Sequence, residues 1–88
     1  MNPFTYIKFK EDMLEAVQKF IIDTDYFVKK IDESSVILSN NKKEILFYLE
    51  ATSLFCDIYD KTTNKKISIY ELIRDENLTE KYPIFSYS

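Results

Sequence analysis

Between Ser34 and Ile69 apolar side chains recur at every second position. One parity collects Val36 and Leu38, then Ile45, Phe47 and Leu49, then Leu54, Cys56 and Ile58, then Ile67 and Ile69, all of them apolar. Alternate residues of a strand share one face of a sheet, so this set predicts a core face. The other parity runs Ile37, then Leu46, Tyr48 and Glu50, then Phe55, Asp57 and Tyr59, then Ser68 and Tyr70. It is mixed but strongly aromatic, and a face of that make-up is either covered by another segment or used for binding.

Upstream the period changes. From Lys10 to Asp23, Met13, Leu14, Val17, Phe20 and Ile21 recur at three- and four-residue spacing, with Glu11, Asp12, Glu15, Gln18 and Lys19 between them. That spacing predicts an amphipathic helix laid on the core face. Asn2-Pro3 is a helix-start signal, although Phe4 to Phe9 is equally compatible with a short extended segment. Strands are expected at Tyr26 to Ile31, Ser35 to Ser39, Glu44 to Glu50, Leu54 to Asp60 and, briefly, Lys66 to Ile67. Their short connections imply an antiparallel meander, and the fold class is α+β in a single domain spanning residues 1–88. The chain contains no glycine, so Asn and Asp must serve where a turn needs positive φ, and Asn40-Asn41 and Asn64 are so placed. Ser68 to Glu71 reads as a capping box opening a helix from Ile69 to about Glu76, with Leu72 and Ile73 facing inward. The tail beyond it carries Leu78, Tyr82, Ile84, Phe85 and Tyr87, with Pro83 holding it extended. Such aromatic weight makes it the natural cover for the second sheet face.

Composition narrows the chemistry. With no histidine, the chain cannot build a histidine general base, a Ser-His or Cys-His pair, or a His-containing zinc site. Without glycine it has neither a P-loop nor a dinucleotide fingerprint. Its single cysteine, Cys56, excludes an intramolecular disulfide, and on the inward parity it reads as a small core residue in a reducing compartment. Carboxylate pairs remain, Asp57 with Asp60 and Asp23 with Asp25, but acids at element ends read as solvated turn residues. No enzyme activity, catalytic residue, metal or cofactor is therefore expected.

Lysines plus arginines number 12 against 15 acids, a net charge of −3. Lys42 with Lys43 and Lys65 with Lys66 fall at expected turns and read as solvated, so the basic stripe of a nucleic-acid binder is missing. No signal peptide or apolar run long enough to span a bilayer is present, and a cytoplasmic location is expected.

What stands out is the group Tyr48, Glu50, Phe55, Asp57 and Tyr59, a shared parity on two adjacent expected strands, with Asp60 at the end of the second. Aromatics anchor protein interfaces, and acids among them steer a basic partner, so these six residues form the candidate partner-binding set. The alternative is that Phe55 and Tyr59 pack under the tail while the acids are merely solvated.

An amphipathic helix, then Asp25-Tyr26-Phe27-Val28, Ser35-Val36-Ile37-Leu38-Ser39-Asn40, a long apolar strand, Phe55-Cys56-Asp57-Ile58-Tyr59-Asp60-Lys61 and Lys66-Ile67-Ser68-Ile69-Tyr70-Glu71-Leu72-Ile73 follow in order. In pattern and size, over about Met13 to Arg74, this resembles the small α+β immunity proteins of bacterial polymorphic toxin and contact-dependent inhibition systems. The resemblance implies a cytoplasmic, non-enzymatic inhibitor that binds and neutralises a cognate toxin, and an acidic aromatic patch suits a nuclease, whose own substrate site is basic. It carries over no functional residue. A phage-encoded inhibitor of a host defence protein, or a subunit that self-associates as a homodimer through the second face, would share these features.

Overall fold

The computed structural model describes residues 8–51, 53–78 and 82–86. Helix α1 (Phe9–Asp23) lies on a sheet of β1 (Phe27–Ile31), β2 (Ser35–Ser39), β3 (Lys43–Glu50), β4 (Ser53–Asp60) and β5 (Lys65–Ile67), followed by α2 (Ile69–Asp75) and a 3-10 helix (Pro83–Ser86). Among the described residues the five strands form one sheet in the order β1-β2-β3-β4-β5, every pair antiparallel. This is the expected α+β meander. Asn2-Pro3 and the segment up to Ile7 lie outside the described residues, as does Tyr87.

Helix α1 buries Phe9, Met13, Val17 and Phe20 completely against the sheet, with Ala16 and Ile21 half-buried beside them. Leu14, expected in this stripe, is exposed. At 100° per residue it sits just beyond Ile21 on the rim, where contact with the sheet ends. The helix closes without glycine because the Thr24 hydroxyl donates to the Phe20 carbonyl at 2.6 Å and accepts from the Tyr26 N–H at 3.3 Å.

The core side of the sheet presents Val36, Leu38, Ile45, Phe47, Leu49, Leu54 and Ile58, all buried, with Cys56 and Ile67 half-buried. Lys43 shares this parity and is only 4% exposed. The expectation of a solvated turn lysine fails there, because one residue of strand precedes Glu44 and turns the side chain inward.

Side chains do the work of glycine at two turns. Asp32 Oδ1 accepts from the N–H groups of Ser34 (2.9 Å) and Ser35 (2.8 Å), and its Oδ2 accepts from the Ser35 hydroxyl (2.9 Å). Asn40 Oδ1 accepts from the N–H groups of Lys42 (2.9 Å) and Lys43 (2.7 Å). Asn40-Asn41 therefore turns the chain by side-chain hydrogen bonding, not by positive φ. Positive φ occurs among the described residues at Ala51 (55°), Asn64 (56°) and Asn77 (52°). Asn64 meets expectation. Ala51, at the tight β3–β4 hairpin where Glu50 faces Ser53, holds a left-handed conformation that costs an L-residue about 1 kcal/mol.

The Ser68 cap forms as expected: its Oγ accepts from the Glu71 N–H at 3.1 Å and donates to Glu71 Oε1 at 3.5 Å. Helix α2 ends in a Schellman arrangement with Asn77 in the left-handed position, the Asn77 N–H bonded to the Arg74 carbonyl and the Leu78 N–H to that of Ile73. Leu72 is buried, whereas Ile73, expected to join it, is 39% exposed at this helix end.

The tail departs most from expectation. Tyr82 and Ile84 are buried, and Phe85 packs against Phe20 (centroids 5.3 Å, edge-on) and Phe47 (5.9 Å). Tyr82 also meets Phe20 edge-on at 5.1 Å. Both partners belong to the core, so this part of the tail covers the helix side of the sheet and not the second face. Pro83 opens a helical turn instead of an extended segment, its fixed φ suiting a first helical position.

Candidate functional site

The β3–β4 register sets Glu50 opposite Ser53, Tyr48 opposite Phe55, Leu46 opposite Asp57 and Glu44 opposite Tyr59. Strand β2 adds Ile37 beside Leu46, and β5 adds Lys66 beside Tyr59. Tyr48, Glu50, Phe55, Asp57 and Tyr59 thus share the sheet face opposite α1. Phe55 and Tyr59 are each 43% exposed, and Phe27 is 55% exposed at the edge of the same face.

Asp60 stands apart from them. It has the core parity, opposite Lys43 and Lys65. Its carboxylate is engaged in the β4–β5 turn, accepting from the Thr62 N–H (2.8 Å), the Thr62 hydroxyl (2.6 Å) and the Thr63 N–H (3.4 Å). The Thr62 hydroxyl, then these N–H groups, hold its pKa below the ordinary 3.8. Strand alternation likewise separates Asp57 from Asp60 on opposite faces, so the two cannot act as a carboxylate pair.

The rings of Tyr48 and Phe55 stack across the strands, centroids 5.4 Å apart and 20° from parallel. Asp57 receives Lys66 Nζ at 2.8 Å, and this bond raises the lysine's pKa. Reduced hydration, then the charges of Asp57 and Glu50, raise the Tyr48 hydroxyl's pKa. The Asp57–Lys66 pair thus lies one same-face step along β4 from Phe55, beside the stacked rings. On the β1 side Lys29 meets Glu44 at 2.8 Å. These pairs change the electrostatic picture drawn from the sequence: Asp57 is neutralised by a lysine read as a solvated turn residue, and Glu50 is the acid of the group with no ion pair among the described residues. The available signal was register, since Lys66 falls beside Tyr59 once β5 pairs with β4.

The outer strands of the described sheet, β1 and β5, are poorly suited to edge pairing. Strand β1 carries a bulge between Val28 and Lys30, and β5 is three residues long with two lysines. Bulges, short strands and lysines discourage edge pairing, which leaves the broad face as the better contact surface.

Acidic groups gather instead at the other end of the helix side. A cavity of about 260 Å³ is lined by Asp23, Thr24, Asp25, Glu76, Asn77, Leu78 and Tyr82. Lys43 Nζ lies 3.4 Å from Glu76 Oε1 and 3.8 Å from Asp75 Oδ2. The Tyr26 hydroxyl donates to Glu76 at 3.2 Å, and burial, followed by that carboxylate, raises its pKa. Asp23 accepts from the Tyr82 hydroxyl at 3.2 Å and Asp25 from the Asn40 amide at 3.0 Å. Asp23 and Asp25 thus tie the tail and the β2–β3 turn to the helix end. A second cavity of about 410 Å³ lies where β4, β5, α2 and Phe85 meet, with Cys56 on its wall. No group of three or more Cys, Asp or Glu among the described residues is arranged to hold a metal ion.

No described helix is long and apolar enough to cross a membrane. Compared with known proteins, the chain matches no family model, no curated protein and no solved structure.

Proposed function

We propose that this protein is a non-enzymatic binding module of the immunity type, which neutralises a cognate toxin by docking on it with the outer face of the sheet. One observation carries the reading: a stacked, pre-oriented Tyr48–Phe55 pair with Tyr59 beside it, left partly exposed on a hydrogen-bonded sheet. Aromatic anchors held in place before binding lose little conformational entropy on docking. The net charge of −3 favours approach to a basic surface, and a nuclease toxin must have one.

The test is growth rescue. Co-expression with a toxin encoded beside the gene should restore growth, and the double substitution F55S with Y59S should abolish rescue while the melting curve stays close to wild type. Full protection by that variant, or the absence of any neighbouring product whose toxicity the protein relieves, would sink the reading.

Self-association through the same face is the second reading, favoured by its internal charge pairing, Asp57 with Lys66 and Glu44 with Lys29, which lets a like surface approach. Light scattering separates the two readings: a stable dimer favours self-association, and a monomer leaves the face open to a foreign partner.

A further inference from the structure

The Tyr48–Phe55 pair has an acid on either side of it along the strands. Asp57 is spent on Lys66 at 2.8 Å. Glu50, one same-face step along β3 from Tyr48 and opposite Ser53, is exposed and has no ion pair among the described residues. Same-face neighbours along a strand lie about 7 Å apart. A side chain that lay on the ring pair and also reached Glu50 would have to be flat, cationic and wide enough to span that step.

We propose that the partner reaches this face with an arginine, whose guanidinium lies against the Tyr48–Phe55 pair and ion-pairs with Glu50. The inference rests on the docking face argued above and says what must arrive there. A guanidinium stacks on an aromatic face and presents a planar fork of donors to a carboxylate, which the compact, strongly hydrated ammonium of lysine does not. A metal ion would need several carboxylates, and no such group gathers among the described residues. Asp57 has a different part: it is already paired with Lys66, so its loss should leave in place the charge that the arginine meets.

Its test uses the full chain labelled for NMR and three small probes, the N-acetyl amides of arginine, lysine and citrulline. Arginine should shift the Tyr48 and Phe55 ring signals and the Glu50 side chain in a saturable way. Lysine should bind at least roughly threefold more weakly, and citrulline, equally flat but uncharged, should give no saturable shift. E50Q should weaken arginine binding severalfold with an unchanged melting curve, and F55A should abolish it. Four results would overturn the proposal: equal shifts from citrulline and arginine, E50Q binding like wild type, arginine shifts confined to the Asp23, Asp25 and Glu76 cavity, or concentration-dependent shifts without probe that vanish in R74A. The last would mean that Arg74, the chain's one arginine, brings a second copy to the site. Failure here is separable from failure of the proposed function: if F55S with Y59S abolishes growth rescue and E50Q leaves it intact, the docking face stands and the arginine falls.

Discussion

The two faces of this sheet are made by the same strands, residue by alternate residue, and both carry large apolar side chains. On one face Phe47 is wholly buried beneath α1 and the 3-10 helix, while on the other Phe55 and Tyr59 keep 43% of their surface. Charges differ as sharply. Lys43, buried on the helix side, joins α2 to the sheet through Asp75 and Glu76. Lys66 and Lys29 on the outer side neutralise acids at the surface. An aromatic strand residue is therefore core or contact according to what the rest of the chain lays over it. Here the helix and the described part of the tail were both laid on one side.

Because the faces differ in this way, substitutions on the two must have different readouts. The largest effect should come from F47A, which opens a cavity under Phe20 and Phe85 and should cost about 3–5 kcal/mol in urea unfolding, enough to unfold much of so small a domain. K43A should come next, at about 2 kcal/mol, because it leaves the partly buried Glu76 without its cation, and K43M should recover part of the loss by restoring the packed stem. F55A should cost less than about 1 kcal/mol, the scale of a cross-strand aromatic pair at a surface, while removing the function assigned to the face. A loss for F55A as large as for F47A would erase the distinction between the faces. Ala51 sits at the hairpin that both faces share, and A51G should raise stability by about 0.5–1 kcal/mol by relieving the positive φ, read as a higher urea midpoint.

The smallest effect is on the acid limb. The Ser34 N–H first, then Ser35, hold the Asp32 carboxyl below its ordinary 3.8. A carboxyl with a depressed folded-state pKa adds stability that is complete above the unfolded value and lost as pH falls through the folded one. Wild type should thus lose urea resistance more steeply than D32N below pH 3.8, with D32N the less stable of the two at neutral pH. Parallel curves for the two proteins would show that Asp32 carries no such linkage.

Two expectations drawn from the sequence, the tail as cover of the outer face and Asp60 as a contact, change with the fold known. Deleting residues 82–88 cannot distinguish a covered outer face from an open one, since Tyr82 and Ile84 are core residues on the helix side and their loss must destabilise either way. Reading Asp60 as a partner contact also fails, because the turn after β4 consumes its carboxylate.

Much of the architecture was legible beforehand because it is written in short-range periodicity. Alternation from Val36 to Ile58 fixes which residues share a face, the three-four spacing of Met13, Val17 and Phe20 fixes the helix stripe, and Ser68 with Glu71 marks a helix start, all through neighbours a few residues apart. The grouping of Tyr48, Glu50, Phe55, Asp57 and Tyr59 was legible for the same reason. Long-range choices were not: that the tail turns back onto Phe20 and Phe47, that Lys43 folds inward to meet Glu76, and that Lys66 silences Asp57 while Glu50 has no ion pair among the described residues. Each of these depends on contacts between segments distant along the chain, where apolar area can be buried equally well on more than one surface. The sequence alone determined that both sides of the sheet are apolar, and only the tertiary structure decided which side the chain would cover.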